Sequence, residues 1–147
     1  MKKVSDVLEN KTKSAVLLGP KIPVDQVLQK MSEEDVGSVL LTDNGRVVGV
    51  FSERDYLRRV VLKQRDPSQT LVSDVMTKKV ICIESDTSID ECLALMNAKK
   101  VRHLPVTNSN GAILGFVSIL DVISSLLSEK QITIENMEKY ISETWPF

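Results

Sequence analysis

Two acidic residues are set where they could do chemistry. Asp121 closes the run Gly111-Ala112-Ile113-Leu114-Gly115-Phe116-Val117-Ser118-Ile119-Leu120-Asp121, and Ser118 precedes it by three positions. That serine lies where a strand-like apolar run passes into the helix-like pattern Val122-Ile123-Ser124-Ser125-Leu126-Leu127. A serine at a helix N-cap with an acid at the third helical position resembles a capping box, although Asp replaces the usual Glu or Gln. A sharper reading leaves the carboxylate to grip the two hydroxyls of a ribose. The helix head beside it presents N–H groups that favour a phosphate. The run Gly45-Arg46-Val47-Val48-Gly49-Val50-Phe51-Ser52-Glu53-Arg54-Asp55 carries the same pattern 66 positions earlier, so Ser52 and Asp55 duplicate Ser118 and Asp121.

No other constellation competes with this pair. The chain has one histidine, His103, and the sequence contains no Gly-rich phosphate loop before a lysine and no HExxH-type metal motif. His103 and Asp121 are conceivable as a dyad, but a bound ligand explains both more simply. Neither a catalytic set nor a metal site is expected. Cys82 and Cys92 are too few for a disulfide framework or a zinc site and are expected to be buried free thiols.

The elements that must position these residues read from the hydrophobic pattern. The chain has 147 residues, 42% of them hydrophobic, which suits one ordinary folded domain or two small halves sharing a core. Net charge is −1 with Lys and Arg spread along the chain, which gives no electrostatic case for nucleic acid or an anionic membrane. No apolar run approaches the ~18 residues of a membrane span, and the start of the chain has no apolar signal region, so a cytoplasmic location is the expectation.

Val4-Ser5-Asp6-Val7 recurs as Val72-Ser73-Asp74-Val75, 68 positions on, and the whole chain divides into two copies. In the first, Ser14–Leu18 predicts a strand. Val24, Val27, Leu28 and Met31 mark one face of a helix stopped by Gly37. Ser38–Thr42 and Arg46–Phe51 predict strands joined by Asp43-Asn44-Gly45, and Ser52 to about Lys63 a helix. In the second, Val80–Ile83, Leu104–Val106 and Ile113–Val117 predict strands. Helices are expected around Ile89–Met96 and from Ser118 to about Ser128. The predicted class is α+β: two β-α-β-β-α repeats, 1–65 and 66–129, packed with pseudo-twofold symmetry. A C-terminal helical tail, 130–147, follows, with Ile134, Met137, Tyr140 and Ile141 on one face.

Taken together, the chain resembles a tandem pair of cystathionine-β-synthase (CBS) domains, a Bateman module. The duplicated opening, Val101-Arg102-His103-Leu104-Pro105-Val106, the paired Gly-x-x-x-Gly-hydrophobic-hydrophobic-Ser-x-x-Asp runs and the order of elements carry the resemblance. It implies two clefts between the halves for adenosyl compounds such as AMP, ADP, ATP, NAD(H) or S-adenosylmethionine, a homodimer of such pairs, and regulation of a separate partner rather than catalysis.

Carried over residue by residue, the resemblance implies a second-half site around Asp121 as ribose anchor. Ser118 serves there as phosphate donor or cap, Arg102 and His103 face phosphate, and Thr77 touches ribose or phosphate. Val80, Ile81, Val101 and Pro105 form an adenine slot or plain core. It implies a first-half site around Asp55 and Ser52, with Thr12, Ala15 and Val16 matching Thr77, Val80 and Ile81. There Gly37-Ser38 replace Arg102-His103, so this site lacks the phosphate cation unless Arg54 or Arg58 supplies it. The expectation is that the second-half site binds phosphate better. Two rivals stand beside this reading: an enzyme acting on nucleotides, and a structural dimerisation module with empty or nucleic-acid-binding clefts.

Overall fold

A computed structural model of the chain describes residues 2–11 and 14–128. Thr12 and the tail 130–147 lie outside the described residues. The order is α1 (Val4–Glu9), β1 (Leu17–Leu18), α2 (Val24–Glu34), β2 (Ser38–Asp43), β3 (Arg46–Ser52) and α3 (Glu53–Asp55), which runs on as a π-helix over Tyr56–Val61. After a 3-10 turn at Val72–Asp74 come β4 (Ile83–Glu84), α4 (Ile89–Lys99), β5 (His103–Thr107), β6 (Ile113–Ser118) and α5 (Ile119–Ser128). Each half forms one three-stranded sheet, β1-β2-β3 or β4-β5-β6. Within each, the first pair is parallel and the second antiparallel.

The local chemistry explains these elements. Asn44 (φ 52°) and Gly45 (φ 77°) both take the left-handed conformation that a tight hairpin between β2 and β3 demands. Val24, Val27 and Met31 bury the inner face of α2 against Val39, Leu41 and Phe51. Ile89, Cys92 and Met96 do the same for α4 against Leu104, Val106 and Val117. Burial of such side chains contributes about 1.5–3 kcal/mol each. Helix α2 stops at Asp35 and α4 at Lys100, both left-handed at φ 53° and 56°. Gly37, the expected stop, lies two residues further on.

The two opening segments are exchanged. Val4 and Val7 of α1 pack in the core of the second sheet, whereas Val72, Val75 and Met76 pack in the core of the first. Backbone bonds fix the exchange: Val4 N–H donates to the Thr87 carbonyl at 2.8 Å and Val72 N–H to Ile22 at 2.9 Å. Two glycines admit these segments. A Cβ on Gly49 would stand 2.4 Å from Met76 Sδ, and one on Gly115 would stand 2.6 Å from Leu8 Cδ2.

Three expected elements are corrected. The strands expected at Ser14–Leu18 and Val80–Ile83 shrink to Leu17–Leu18 and Ile83–Glu84, while Ala15, Val16, Val80 and Ile81 line cavities. The helix expected over Ser52–Lys63 widens after one turn, with Leu62 N–H reaching the Leu57 carbonyl five residues back. Cys92 is buried as expected, but Cys82 is exposed. Its neighbour Ile83 points into the core, so extended-chain alternation turns Cys82 outward.

Candidate functional site

Both Ser-x-x-Asp runs form capping boxes. Ser52 N–H donates to Asp55 Oδ2 at 2.9 Å, and Asp55 N–H donates back to Ser52 Oγ at 3.3 Å. Ser118 N–H donates to Asp121 Oδ2 at 2.8 Å, and Asp121 N–H donates to Ser118 Oγ at 3.0 Å. The capping reading of these residues is therefore correct. Each box fixes its carboxylate at the mouth of a strand–helix junction, and each junction opens on a cleft.

The first cleft, of about 450 Å³, is lined by Ser52, Glu53, Arg54 and Asp55 from one half. The other half contributes Thr77, Lys79, Val80 and Ile81 and the segment 100–105, which runs from the end of α4 into β5. Asp55 is almost buried. Its Oδ1 accepts from Thr77 Oγ1 at 3.0 Å and lies 3.8 Å from Arg59 Nε. Arg59 also donates to the carbonyls of Val75 and Met76 at 3.3 and 2.7 Å, tying the crossing segment to the helix that bears Asp55. Thr77 is further held by a reciprocal backbone pair with Val50, at 2.8 and 3.0 Å.

The second cleft, of about 930 Å³, joins Ser118, Leu120 and Asp121 to Lys11, Ser14, Ala15, Val16 and the loop Asp35–Ser38. Ser124, Ser125 and Ser128 continue its wall along α5. Lys11 Nζ sits 3.0 Å from Asp121 Oδ2 and also donates to the Phe116 carbonyl. Partial burial pushes the Asp121 carboxyl up. The Ser118 N–H, the Lys11 hydrogen bond and charge, and the Ser118 hydroxyl outweigh burial and hold it below the ordinary carboxylate range. Both Lys11 and Ser118 N–H engage Oδ2, so neither of these contacts occupies Oδ1.

The grouping of residues by half is thereby corrected. Thr77, Val80, Ile81, Val101, Arg102 and Pro105 do come together, but around Asp55 rather than Asp121. Val16 shares its cleft with Asp121, and Gly37 and Ser38 touch both clefts. The exchange of opening segments accounts for Thr77, Val80 and Ile81, which follow the second opener; Val101, Arg102 and Pro105 reach the same cleft from the end of α4 and the start of β5. The cations Arg102, Lys79 and Lys100 therefore share a cleft with Asp55. Arg54 lines that cleft; Arg58 is exposed and lines neither.

His103 stands in the wall between the two clefts and lines both. Its ring packs on Phe116 with centroids 5.1 Å apart. Partial burial first, then the charges of Lys11 and Arg102, lower its pKa; Asp121 opposes them. Sequence reasoning missed Lys11, Arg59, Lys79 and Lys100. Arg59 left a readable signal, an acid–arginine pair four apart on one helix. Lys11 and Lys79 become cleft residues through the crossing, and Lys100 from its place at the end of α4. Among the described residues there is no cluster of potential metal ligands, and no helix is long and apolar enough to cross a membrane.

Comparison with known proteins agrees with this architecture. The CBS domain family model matches the chain twice, over residues 4–62 and 72–128. A CBS domain-containing protein of Arabidopsis thaliana, CBSX3, described as mitochondrial, is 31% identical over 147 residues, covering 94% of this chain and 71% of its own. The structure of a CBS domain protein from Burkholderia ambifaria superposes with a TM-score of 0.81 at 34% identity, covering 90% of this chain and 99% of its own. A CBS domain protein from Pyrobaculum aerophilum, solved complexed with AMP, shares the fold at a TM-score of 0.74 and 24% identity, covering 86% and 99% of the two chains.

Proposed function

This chain belongs to the CBS domain family as a tandem pair, and from that premise we propose that it is a regulatory module that binds an adenosyl nucleotide and modulates a separate protein. One observation carries the reading. In the first cleft a pre-positioned carboxylate, an apolar slot and a cationic loop converge from opposite halves of the molecule. Two vicinal hydroxyls of a ribose suit the Asp55 carboxylate, since bonds to a charged acceptor are stronger than neutral ones. Val80, Ile81, Val101 and Pro105 offer a flat apolar slot for adenine. Arg102, with Arg54, Lys79 and Lys100 on the same rim, provides for the phosphate, and arginine offers a planar fork to its oxygens. The AMP complex of the Pyrobaculum aerophilum relative supports adenine nucleotide as the ligand class.

A ligand held between halves changes their relation only if it binds one arrangement better than another. Here the bound nucleotide would touch both Asp55 and the Arg102 loop, so it favours the arrangement that brings them together. Regulation follows from that preference and needs no catalytic group. An exposed apolar strip, Leu57, Val61 and Leu62, supports a homodimer through the π-helical run. The cytoplasm is the setting we propose.

Thermal shift with AMP, ADP, ATP, NADH and S-adenosylmethionine tests the proposal. A ligand at 100 times its dissociation constant stabilises by about 2.7 kcal/mol. Absence of any shift would favour a purely structural module. Recovery of an altered nucleotide after incubation would favour an enzyme.

A further inference from the structure

The two clefts are built from equivalent loops, and their charges can be compared position by position. Asp35 and Lys100 are the left-handed residues that end α2 and α4, so the loops that follow correspond. Lys100 and Arg102 in the first cleft thus match Asp35 and Gly37 in the second. Along the crossing segments Lys79 matches Ser14, and along the Ser-x-x-Asp runs Arg54 matches Leu120. Every one of the four cations on the first rim has been replaced: by a hydroxyl, by an acid, by nothing and by a leucine.

The second cleft has gained no cation at these positions, and it has gained one acid, Asp35. Among the described residues its wall holds one lysine, Lys11, and that ammonium is already engaged by Asp121 and the Phe116 carbonyl. His103 is biased toward its uncharged form. Hydroxyls dominate the remaining polar wall, and one of them, Ser125 Oγ, is buried without a hydrogen-bond partner among the described residues. A buried hydroxyl left unpaired is unfavourable, and a polar ligand could supply its partner. Among the described residues of this wall, a phosphate brought here would lose its water and meet no uncommitted cation.

Building on the nucleotide-binding reading above, we propose that the second cleft is a separate site for an adenosyl compound that carries no phosphate. The first cleft takes the phosphorylated nucleotide. The two sites thereby report on two chemical classes of ligand, and the module integrates them. The shared ribose anchor makes the classes related; the rim charges make them distinct.

Calorimetric titration with adenosine and with AMP tests this. Asp55→Ala leaves the second cleft to be read, and it should bind adenosine at least as tightly as AMP. Asp121→Ala leaves the first, which should prefer AMP by at least about tenfold, the effect of one charge-assisted contact. A variant that copies the second rim onto the first, Lys79→Ser with Lys100→Asp, Arg102→Gly and Arg54→Leu, keeps both capping-box pairs and should abolish the AMP preference of the first cleft. If Asp55→Ala still prefers AMP tenfold, or the rim variant keeps the wild-type preference, the division of ligand classes is overturned. If the wild-type protein binds neither compound, the nucleotide reading itself fails, and this proposal with it.

Discussion

Gly49→Ala tests whether the exchanged segment is what assembles the first cleft. Glycine here makes room rather than supplying an unusual backbone angle. An alanine Cβ would stand 2.4 Å from Met76 Sδ, 2.9 Å from Cγ and 3.1 Å from Cε. Met76 is buried among Val72, Val75 and Phe51, so its side chain cannot swing into solvent without vacating the core. Overpacking of this kind costs about 1–3 kcal/mol. For a chain of this size, a cost of about 2 kcal/mol lowers Tm on the order of 5–8 °C. The displacement should also be felt one residue along, where Thr77 hydrogen-bonds Asp55. AMP affinity should therefore fall together with stability. Denaturant unfolding of Gly49→Ala, Met76→Ala and the double variant measures the contact directly. Met76→Ala alone should cost about 2–5 kcal/mol. The double variant should be more stable than the sum of the two by at least about 1 kcal/mol, since one change relieves the clash the other creates. Wild-type stability for Gly49→Ala, or simple additivity, would refute the packing argument.

Three other outcomes are expected. His103 is the sole histidine, so its imidazole resonances in a proton NMR titration are unambiguous. Their midpoint should lie below about 6.5 in the empty protein and rise when AMP is bound; a midpoint indifferent to AMP would separate His103 from the ligand. Because the Asp121 pKa is depressed in the fold, its contribution to stability is present above the unfolded value near about 3.9 and is lost as pH falls through the folded value. Unfolding followed from pH 7 down to 3 should show that loss weakened in Lys11→Met, and identical pH profiles would contradict the Lys11–Asp121 pair. Arg59→Met removes the donor to the Val75 and Met76 carbonyls and should cost about 1–2 kcal/mol with weaker AMP binding; unchanged values for both would show that Arg59 does not brace the cleft.

Much of this architecture was readable in the residues. The Ser-x-x-Asp duplication located both carboxylates, and the spacing of Val24, Val27 and Met31 located the face of α2 that is buried. Asn44-Gly45 located a hairpin. The composition of each cleft was not readable, because which half a crossing segment joins is a tertiary choice. Val4 and Val72 carry the same local pattern whether they pack on their own sheet or on the other one. Residue matching places Arg102 with Asp121, whereas in the structure it lines the cleft of Asp55. The widening of the helix after Asp55 also has no clear local signal, since Tyr56–Val61 is compatible with ordinary helical periodicity. Cys82 was misjudged for a simpler reason: an apolar run was read as wholly buried when alternation exposes every second residue.

The most direct measurement of the central claim is a crystal structure of the protein grown with AMP. The ribose hydroxyls should lie within hydrogen-bonding distance of Asp55, the adenine between Val80, Ile81, Val101 and Pro105, and the phosphate against the Arg102 loop. AMP bound elsewhere, or a first cleft left empty at saturating AMP, would contradict the account.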